Sequence, residues 1–425
     1  MRVVSNPMSG TEPSREEVRA EVRAWLEEHW EDDRPLIEWR TLLADSGWAA
    51  PGWPTEWFGK GYSAELAQVA SDERQSFGAV GPPIGSAMSL AAPTLFEHGS
   101  DPLKARFLRR ILTGEDRWCQ LFSEPGSGSD LAGLTTRAER DGDEWVINGQ
   151  KVWTTGARSA DYAMLLARTD WDAPKHRGIS YFVLPMHQPG VEVRPLRQMN
   201  GHASFNEVFL TDARVPLDHS VGAVNAGWAG ALTTLAHERG LGAIRLVATD
   251  GWRDGRTSAE AMAEADEHAR TYAWYPQRAG RADLLPEMAR ATGATAAQRQ
   301  LVAETIVRSR VAAWNVERSR AARAAGRSPG PEGSVAKLAG SDIARRAAEA
   351  HGAMAGAQAL LTGSTSLRGG IVAEILVSVP AGSIAGGTDE IQHNIVGERA
   401  LGLPKEPSTD AQLPFREVRT NATGR

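Results

Sequence analysis

The sequence predicts an α+β protein with three parts: an N-terminal α-helical domain, a central antiparallel β domain and a C-terminal domain similar to a four-helix bundle. Apolar residues recur at helical spacing in the first and last parts, whereas short apolar or alternating runs separated by turn residues fill the middle. The chain has 425 residues, enough for about three domains of ~150 residues. We place these domains at residues 12–118, 119–228 and 229–404, followed by a tail at residues 405–425.

The N-terminal part begins with the pattern of a capped helix. Ser14 and Glu17 have the spacing of a capping box, in which each side chain accepts a hydrogen bond from the main chain of the other. The apolar residues that follow share one helical face: Val18, Val22, Trp25 and Leu26. Further helices are predicted over residues 64–74, 83–98 and 101–113.

The middle part changes to the pattern of strands. We predict strands at residues 162–168, 179–184, 191–194 and 205–211, because turn residues separate these short apolar runs. Helical spacing returns from residue 229 to about residue 402, so a helix bundle is expected there. The polar residues 405–425 contain Pro, Thr, Ser and Asn, and we expect them to form a mobile tail.

Composition and charge exclude several classes of function. The net charge is −6 and the basic residues are dispersed, which argues against a nucleic-acid partner. Cys119 is the only cysteine, so an internal disulfide and a multi-cysteine metal site are excluded, and we expect a buried structural thiol. No run approaches about 18 apolar residues, and the first residues lack the apolar core of a secretory signal. We therefore expect a cytoplasmic protein with no membrane span and no metal site.

One stretch, residues 119–157, has the composition of a cofactor-binding region. Its glycine-rich loop SEPGSGSD, residues 123–130, offers hydroxyl and main-chain N–H groups that a ligand can approach closely. Asn148-Gly149 lies between two apolar runs and predicts a β-hairpin. On its second strand, Trp153 and Thr155 would share one face, where an indole can stack on a ring system and a hydroxyl can bond a heteroatom. The alternative is a hairpin in a β-sandwich with a core tryptophan.

Two motifs resemble those of a known family. SEPGSGSD followed by NGQKVWTT is similar to the flavin-binding middle domain of the acyl-CoA dehydrogenase family, and GGTDEIQ at residues 386–392 followed by ERALGLP at residues 398–404 resembles its C-terminal signature. Short glycine-rich motifs are individually weak evidence, but these occur in the family's order over most of the chain. The resemblance implies an FAD enzyme that removes a proton from the α carbon of an acyl-CoA thioester and a hydride from its β carbon. It also implies a flavoprotein as electron acceptor.

The resemblance implies roles for individual residues. The residues expected near the flavin ring or the thioester are Phe122, Ser123, Gly128 and Ser129. Trp153 would pack on the flavin, and Thr155 would bond its N5 edge. The residues expected near the phosphate and adenosine end of FAD are Thr388 and Glu390. The residues expected to contact substrate are Ser129 and Arg239.

The catalytic base departs from the commonest family pattern. Many members have a glutamate immediately before the Gly-Thr of the C-terminal signature, but this chain has Gly386, which cannot accept a proton. A second subset, resembling long-chain and isovaleryl enzymes, has its glutamate just before an arginine on an early helix of the C-terminal domain. Glu238 before Arg239 matches that position, so we expect Glu238 to be the base; a solvated ion pair is the alternative. The main-chain N–H of Gly386 would still polarise the thioester oxygen, and the small Ala385 and Gly386 suggest room for a bulky or branched acyl group.

A second family feature is missing. The family often uses an Arg-x-x-Phe-Gly segment from a neighbouring subunit to hold the FAD pyrophosphate. Residues 74–78 fit those letters, but they belong to the N-terminal part and we interpret the match as chance. We interpret the expected region, residues 252–288, either as a variable surface helix and loop or as a replaced oligomer contact. Three hypotheses follow: a dimeric or tetrameric acyl-CoA dehydrogenase, a non-catalytic or half-site subunit of a mixed tetramer, and a flavin monooxygenase similar to the family.

Overall fold

The computed structural model describes residues 12–238, 249–324, 330–364 and 366–419. Helices precede and follow a β-sheet that is built from residues 118–221. This arrangement confirms the predicted α+β class with helical N-terminal and C-terminal parts.

The N-terminal helices are α1 (Arg15–His29), α2 (Leu36–Asp45), α3 (Ala64–Phe77), α4 (Ala92–His98) and α5 (Asp101–Thr113). The predicted capping box is confirmed, because the Ser14 hydroxyl accepts from the Glu17 N–H at 3.2 Å and the Glu17 carboxylate accepts from the Ser14 N–H at 2.7 Å. The helix predicted from residue 83 begins only at Ala87, in a π-helical turn that continues as α4. Gly85 has a φ of +113°, which an α-helix excludes, so the helix cannot begin before it.

The described strands are β1 (Trp118–Leu121), β2 (Arg137–Asp141), β3 (Glu144–Thr155), β4 (Tyr162–Arg168), β5 (Ile179–Pro185), β6 (Val191–Leu196), β7 (Phe205–Pro216) and β8 (Ser220–Val221). They form one sheet in the order β6-β7-β3-β2-β4-β5-β8, with β1 beside β4. β1 and β2 run parallel to β4, and the other pairs are antiparallel. The strands predicted after residue 160 are confirmed, and β7 extends beyond its predicted end.

The hairpin predicted at Asn148-Gly149 is wrong. β3 continues through both residues, and its hairpin with β2 turns at Gly142, which has a φ of +60°. Asn148 instead bonds to Asp212 of β7, donating from Nδ2 at 3.0 Å and accepting the main-chain N–H at 2.9 Å. Gly149 lies at a register shift, where a Cβ atom would be 2.4 Å from the Thr136 hydroxyl oxygen. The Asn-Gly pair therefore forms a bulge and permits a close approach between segments.

The C-terminal helices are α6 (Gly227–Glu238), α7 (Arg256–Thr271), α8 (Tyr275–Arg278), α9 (Leu285–Thr292), α10 (Ala296–Ala324), α11 (Glu332–Ala355), α12 (Ile371–Ser378), α13 (Pro380–Ile384) and α14 (Asp389–Arg399). A bundle core forms where α9, α10, α11 and α12 meet, around Met288, Val302, Ala347 and Val372. The first two helices pack elsewhere, because α6 lies on α4 and β5 whereas α7 lies on α2. Arg40 of α2 fixes α7 with two hydrogen bonds to the Glu264 carboxylate, at 3.1 and 2.8 Å.

One stretch, Leu367–Arg399, is long and apolar enough to cross a membrane, by length and composition only. The sequence reasoning did not anticipate this stretch. Its α12, α13 and α14 are separate helices, and Gly386 and Gly387 between them have φ values of +70° and +83°. Asp389 at the start of α14 forms 2.6 Å ion pairs with Lys337 and Arg345 of α11. We therefore interpret the stretch as part of the helical bundle.

The expectation of a mobile tail is wrong for the end of its described part. Phe415 is 2% exposed and packs against the loop that joins β4 to β5. Its main-chain N–H donates to the Ala173 carbonyl at 3.0 Å. The polar composition of the tail concealed this buried aromatic residue, since burial depends on a partner that lies far away in sequence.

A buried ion pair fastens the glycine-rich loop to β3. The Lys151 ammonium, with no exposed surface, lies 2.9 Å from Glu124 and donates to the Phe122 carbonyl, also at 2.9 Å. Glu124 also accepts from the main-chain N–H groups of Thr135 at 2.7 Å and Thr136 at 2.9 Å. Burial alone would raise the pKa of Glu124, but Lys151 and these hydrogen bonds lower it to about 2.

The substitution Glu124→Gln should lower the free energy of unfolding by about 3–5 kcal/mol, because it leaves Lys151 buried without a counterion. Urea denaturation at neutral pH measures the change. Adding Lys151→Met should recover most of the loss, since both charges are then gone. The control Glu192→Gln removes an exposed partner of Arg194 and should change stability little. Wild-type stability in Glu124→Gln would contradict a role for the pair.

The pair also predicts a pH dependence. The folded pKa of Glu124 is lowered to about 2 from an ordinary value of 4.5, so its stabilisation is fully present above about pH 4.5. That stabilisation is lost as the pH falls towards 2. The free energy of unfolding should therefore fall less steeply over this window in the double variant than in the wild type. If the free energy of unfolding falls with the same slope in both proteins between pH 4.5 and 2, the ion pair is not the source of this pH dependence.

Candidate active site

The glycine-rich loop has a fixed inner half and an open outer half. Glu124 and Ser127 exchange two main-chain hydrogen bonds of 3.0 Å, so the loop begins as a tight turn. Gly128 and Ser129 follow it and are exposed. Apart from its chain neighbours, no atom of the described residues lies within 4 Å of the position that a Cβ atom on Gly128 would take. A ligand can therefore reach the main chain of the outer half directly.

Phe122 and Ser123 lie on the inner side of this loop. Phe122 is 4% exposed and packs edge-on against Tyr181, with ring centroids 5.8 Å apart. Ser123 is half-buried, and its carbonyl accepts the Val152 N–H at 2.9 Å. These contacts join the loop to the core on one side and to β3 on the other.

Trp153 lies at an irregular point of β3. Its φ is +63°, and the register with β7 shifts between Lys151 and Thr154, so strict strand alternation does not hold there. The indole is 56% exposed, Thr154 is buried and Thr155 is half-buried. A positive φ is uncommon for a bulky residue, and such strain clusters at functional sites. The irregularity leaves a large aromatic side chain open to a ligand.

Trp274 connects Trp153 to the C-terminal helices. Phe205 packs edge-on against both indoles, with centroids 5.7 Å from Trp153 and 6.1 Å from Trp274. Trp274 is 1% exposed and donates from Nε1 to the Ser204 hydroxyl at 3.1 Å. Sequence reasoning missed this residue, although it lies in the region 252–288 that we interpreted as surface or oligomer contact. An aromatic cluster, TYAWY, was the signal that could have found it.

These features fit a flat aromatic ligand with a polar chain. Trp153 offers an exposed ring beside the Thr155 hydroxyl, and the outer half of the loop offers main-chain groups with no side chain in front of Gly128. Ring stacking and hydrogen bonds of this kind hold planar cofactors. Within the described ranges, no group of three His, Cys, Asp or Glu side chains is placed to hold a metal ion. Cys119 is buried, as predicted, and burial raises the pKa of its thiol.

Glu238 lies half-buried at the end of α6, beside β1. Gln120 of β1 donates from Nε2 to the Glu238 carboxylate at 3.4 Å. Because Gln120 precedes the glycine-rich loop by three residues, this contact holds the carboxylate beside the strand that enters the loop. A buried hydroxyl cluster fixes α6, since the Thr234 oxygen lies 2.8 Å from that of Thr94 and 3.1 Å from that of Tyr181.

Arg239, predicted to contact substrate, lies outside the described residues. Its neighbour His237 is exposed. The half-buried position of Glu238 and its bond from Gln120 count against a fully solvated ion pair. A catalytic role for Glu238 stays a prediction.

The C-terminal signature forms the turn between α13 and α14. Gly386 has a φ of +70°, and apart from its chain neighbours no atom in the described part of the chain lies within 4 Å of an added Cβ. Thr388 caps α14, its hydroxyl accepting from the Ile391 N–H at 3.2 Å, and Glu390 is exposed. In the part of the chain that the structure describes, no hydrogen bond or ring contact joins Gly386, Thr388 or Glu390 to the glycine-rich loop or to Glu238. Their predicted roles stay predictions.

Residues 74–78 close α3 within the N-terminal part. Gly78 is its left-handed C-cap with a φ of +85°, and Arg74 donates to the Ala79 carbonyl at 3.2 Å. These contacts satisfy the end of a helix. They support the interpretation that the match to the pyrophosphate clamp is chance.

Family models match three ranges of the chain. They are the N-terminal domain of acyl-CoA dehydrogenases at residues 12–115, the middle domain at residues 119–213 and the C-terminal domain at residues 257–401. The curated acyl-CoA dehydrogenase FadE34 of Mycobacterium tuberculosis is 38% identical over 86% of this chain. This chain spans 46% of that protein, about half its length. Acyl-CoA dehydrogenase IpdE1 of the same organism is 34% identical, over 92% of this chain and 98% of that protein.

Two of the solved structures that this chain resembles align with more than nine-tenths of it. One is described as the Tcur3481-Tcur3483 steroid ACAD, with 27% identity, a TM-score of 0.63, and coverage of 92% of this chain and 98% of that chain. The other is the ChsE4-ChsE5 complex of Mycobacterium tuberculosis, with 28% identity, a TM-score of 0.62, and coverage of 96% and 100%. The domain matches and the relatives that align along almost the whole length show that this chain belongs to the acyl-CoA dehydrogenase family.

Proposed function

We propose that this chain is an FAD-dependent acyl-CoA dehydrogenase that converts an acyl-CoA thioester to the 2-enoyl-CoA, with Glu238 as its base. The contact between Gln120 and Glu238 carries the proposal, because it holds a half-buried carboxylate beside the strand that enters the glycine-rich loop. FAD, when bound, supplies the hydride acceptor for the β carbon. A flavoprotein electron acceptor and a cytoplasmic location are part of the proposal.

The proposal assigns separate roles to the base, to the donor on the thioester oxygen and to the residues that hold the cofactor. Glu238 would take the α proton, and an amide donor on the thioester oxygen would make that proton more acidic. Within the described residues the main-chain N–H of Gly386 makes no hydrogen bond, so it is available for this role. The residues proposed to hold the cofactor are Phe122, Ser123, Gly128, Ser129, Trp153, Thr155, Thr388 and Glu390.

We propose a bulky acyl group as substrate, of the size of a steroid-derived chain. Ala385 and Gly386 are small, and the space around an added Cβ at Gly386 is open. A solved neighbour is described as a steroid ACAD, which supports a polycyclic substrate.

A second candidate is a half-site subunit in a mixed tetramer. Gly386 in place of the commoner glutamate favours it, and both solved neighbours are described as pairs of different proteins. The absorption spectrum and native mass of the purified chain distinguish the two. About one flavin per chain in a homo-oligomer supports the first candidate. Flavin that is retained only after a related subunit is added supports the second.

The substitution Trp153→Ala should weaken FAD retention about tenfold, because it removes the exposed ring from the proposed stack. Flavin absorbance after gel filtration measures the bound fraction. Trp314→Ala is a matched control, since that indole on α10 is 60% exposed and lies outside the proposed cofactor contacts. Full retention of spectrally unchanged flavin in Trp153→Ala would show that this face is wrongly assigned.

The substitution Glu238→Gln should preserve FAD binding and lower the rate of flavin reduction by acyl-CoA at least about 100-fold, the lower end for a general base. Stopped-flow absorbance measures that rate. The control is His237→Gln, a change at the exposed neighbouring residue, which should leave the rate near that of the wild type. Near-normal reduction in Glu238→Gln would place the base elsewhere or on another subunit.

Adding Gly386→Glu to Glu238→Gln tests whether the two family positions can exchange. The double variant should regain only part of the rate. A carboxylate at residue 386 has open space, but the φ of +70° costs an L residue about 1–2 kcal/mol. No recovery in a variant that folds and binds FAD would mean that residue 386 does not reach the α carbon.

Steroid-derived or branched acyl-CoAs should be turned over faster than butyryl-CoA in a dye-reduction assay. Ala385→Phe should reduce the kcat/KM of the large substrates most, because Ala385 has an extended backbone (φ −74°) that accepts any L residue. Gly386→Ala adds backbone strain with little volume and serves as its control. A preference of the wild type for short linear chains would contradict a roomy pocket.

A further inference from the structure

Residues 410–418 lie against the loop between β4 and β5, beyond the range that the family model matches, which ends at residue 401. The chain that leads to them is open, with Leu401 69% and Leu403 56% exposed, whereas Phe415 is 2% exposed. We call residues 410–418 the strap. The burial of Phe415 anchors the strap on the β4–β5 loop.

Main-chain hydrogen bonds attach the strap to the β4–β5 loop. The N–H of Phe415 donates to the Ala173 carbonyl and that of Arg416 to the Trp171 carbonyl, both at 3.0 Å. The Arg416 guanidinium also lies 2.6 Å from the Asp172 carboxylate. The strap thus adds to the loop in a defined register.

Phe415 covers a buried cation. The guanidinium carbon of Arg168 lies 3.3 Å from the centroid of the Phe415 ring, and Arg168 has no exposed surface. Arg168 forms no ion pair with any described residue, and burial lowers its pKa to about 10. An aromatic face is a favourable neighbour for a desolvated guanidinium. Without this ring, one face of the cation would be open to water.

Arg168 holds the chain that follows the glycine-rich loop. Its guanidinium donates to the carbonyls of Ala132 at 2.7 Å, Leu134 at 3.2 Å and Lys175 at 3.1 Å. Lys175 in turn pairs with Asp130, the last residue of that loop, at 2.7 Å. Arg168 is therefore connected to the outer half of the loop in two ways. It binds the carbonyls of Ala132 and Leu134, which follow the loop, and the carbonyl of Lys175, whose side chain pairs with Asp130.

We propose that the strap fixes the outer half of the glycine-rich loop, and that Phe415 is a positioning residue that acts through Arg168 on the binding of FAD and of the CoA part of the substrate. The second half of this proposal rests on the proposed function, since it assumes that Gly128 and Ser129 contact those ligands. The first half concerns only the protein itself.

Hydrogen exchange on the full chain tests the first half. In Phe415→Ala, the amides of Gly133 and Leu134, which donate to Asp130 and Leu131, should exchange about tenfold faster. Amides in the pairing of β4 with β5 should not change. Phe415→Tyr keeps the aromatic face and should behave as the wild type. Leu413→Ala, at a partly exposed position of the same strap, should also have no effect.

The rate of FAD release tests the second half. Phe415→Ala should release flavin several-fold faster and raise the KM for acyl-CoA more than it lowers kcat, with rescue in Phe415→Tyr. Faster hydrogen exchange throughout the sheet, or unchanged exchange at residues 133 and 134, would overturn the proposal that the strap fixes the loop. Selective exchange with unchanged flavin release and KM would overturn the positioning role. If the wild type holds no flavin, the proposed function fails. The hydrogen-exchange result would still decide whether the strap fixes the loop.

Discussion

Glu124 and Lys151 form a buried ion pair, and this pair joins the two segments that build the proposed flavin site. Glu124 belongs to the glycine-rich loop, and Lys151 lies two residues before Trp153 on β3. Lys151 also bonds the carbonyl of Phe122, so the ammonium fixes both the start of the loop and the strand that carries the exposed indole. The pair is costly to bury and costly to break. The ion pair therefore fixes the loop relative to Trp153, together with the hydrogen bond from the Val152 N–H to the Ser123 carbonyl.

Periodic patterns predicted most of the helices and strands, because burial of one face repeats with the geometry of the element. The failure at Asn148-Gly149 has a physical cause. The same dipeptide that closes a tight turn also suits a bulge, and here Gly149 lies where the Thr136 hydroxyl leaves no room for a Cβ. Gly142, seven residues before Gly149, forms the turn instead. A local signal could not choose between these two glycines, since the choice depends on the pairing of β3 with β7.

The contacts that organise the site could not be read from the sequence, because they join residues far apart in the chain. Gln120 meets Glu238, and Trp274 reaches Trp153 through Phe205. The roles proposed for individual residues could be inferred from the family motifs, but the motifs include neither Trp274 nor the strap. They include Lys151, within NGQKVWTT, without showing that it pairs with Glu124. An ionisable residue inside an apolar strand and a single Phe in a polar tail are weak signals. Each gains meaning only from its buried partner.

The position of the base bears on the rest of the proposed site. A carboxylate at residue 386 would stand on a turn whose backbone has a φ of +70°, a conformation that glycine adopts freely but that costs an L residue such as glutamate about 1–2 kcal/mol. A carboxylate at Glu238 stands instead on α6, which the buried hydroxyls of Thr94, Thr234 and Tyr181 hold in place. A base at Glu238, as proposed, would be positioned by a helix that does not depend on the turn. The turn could then keep small residues and open space, which is the arrangement that the proposed bulky acyl group would require.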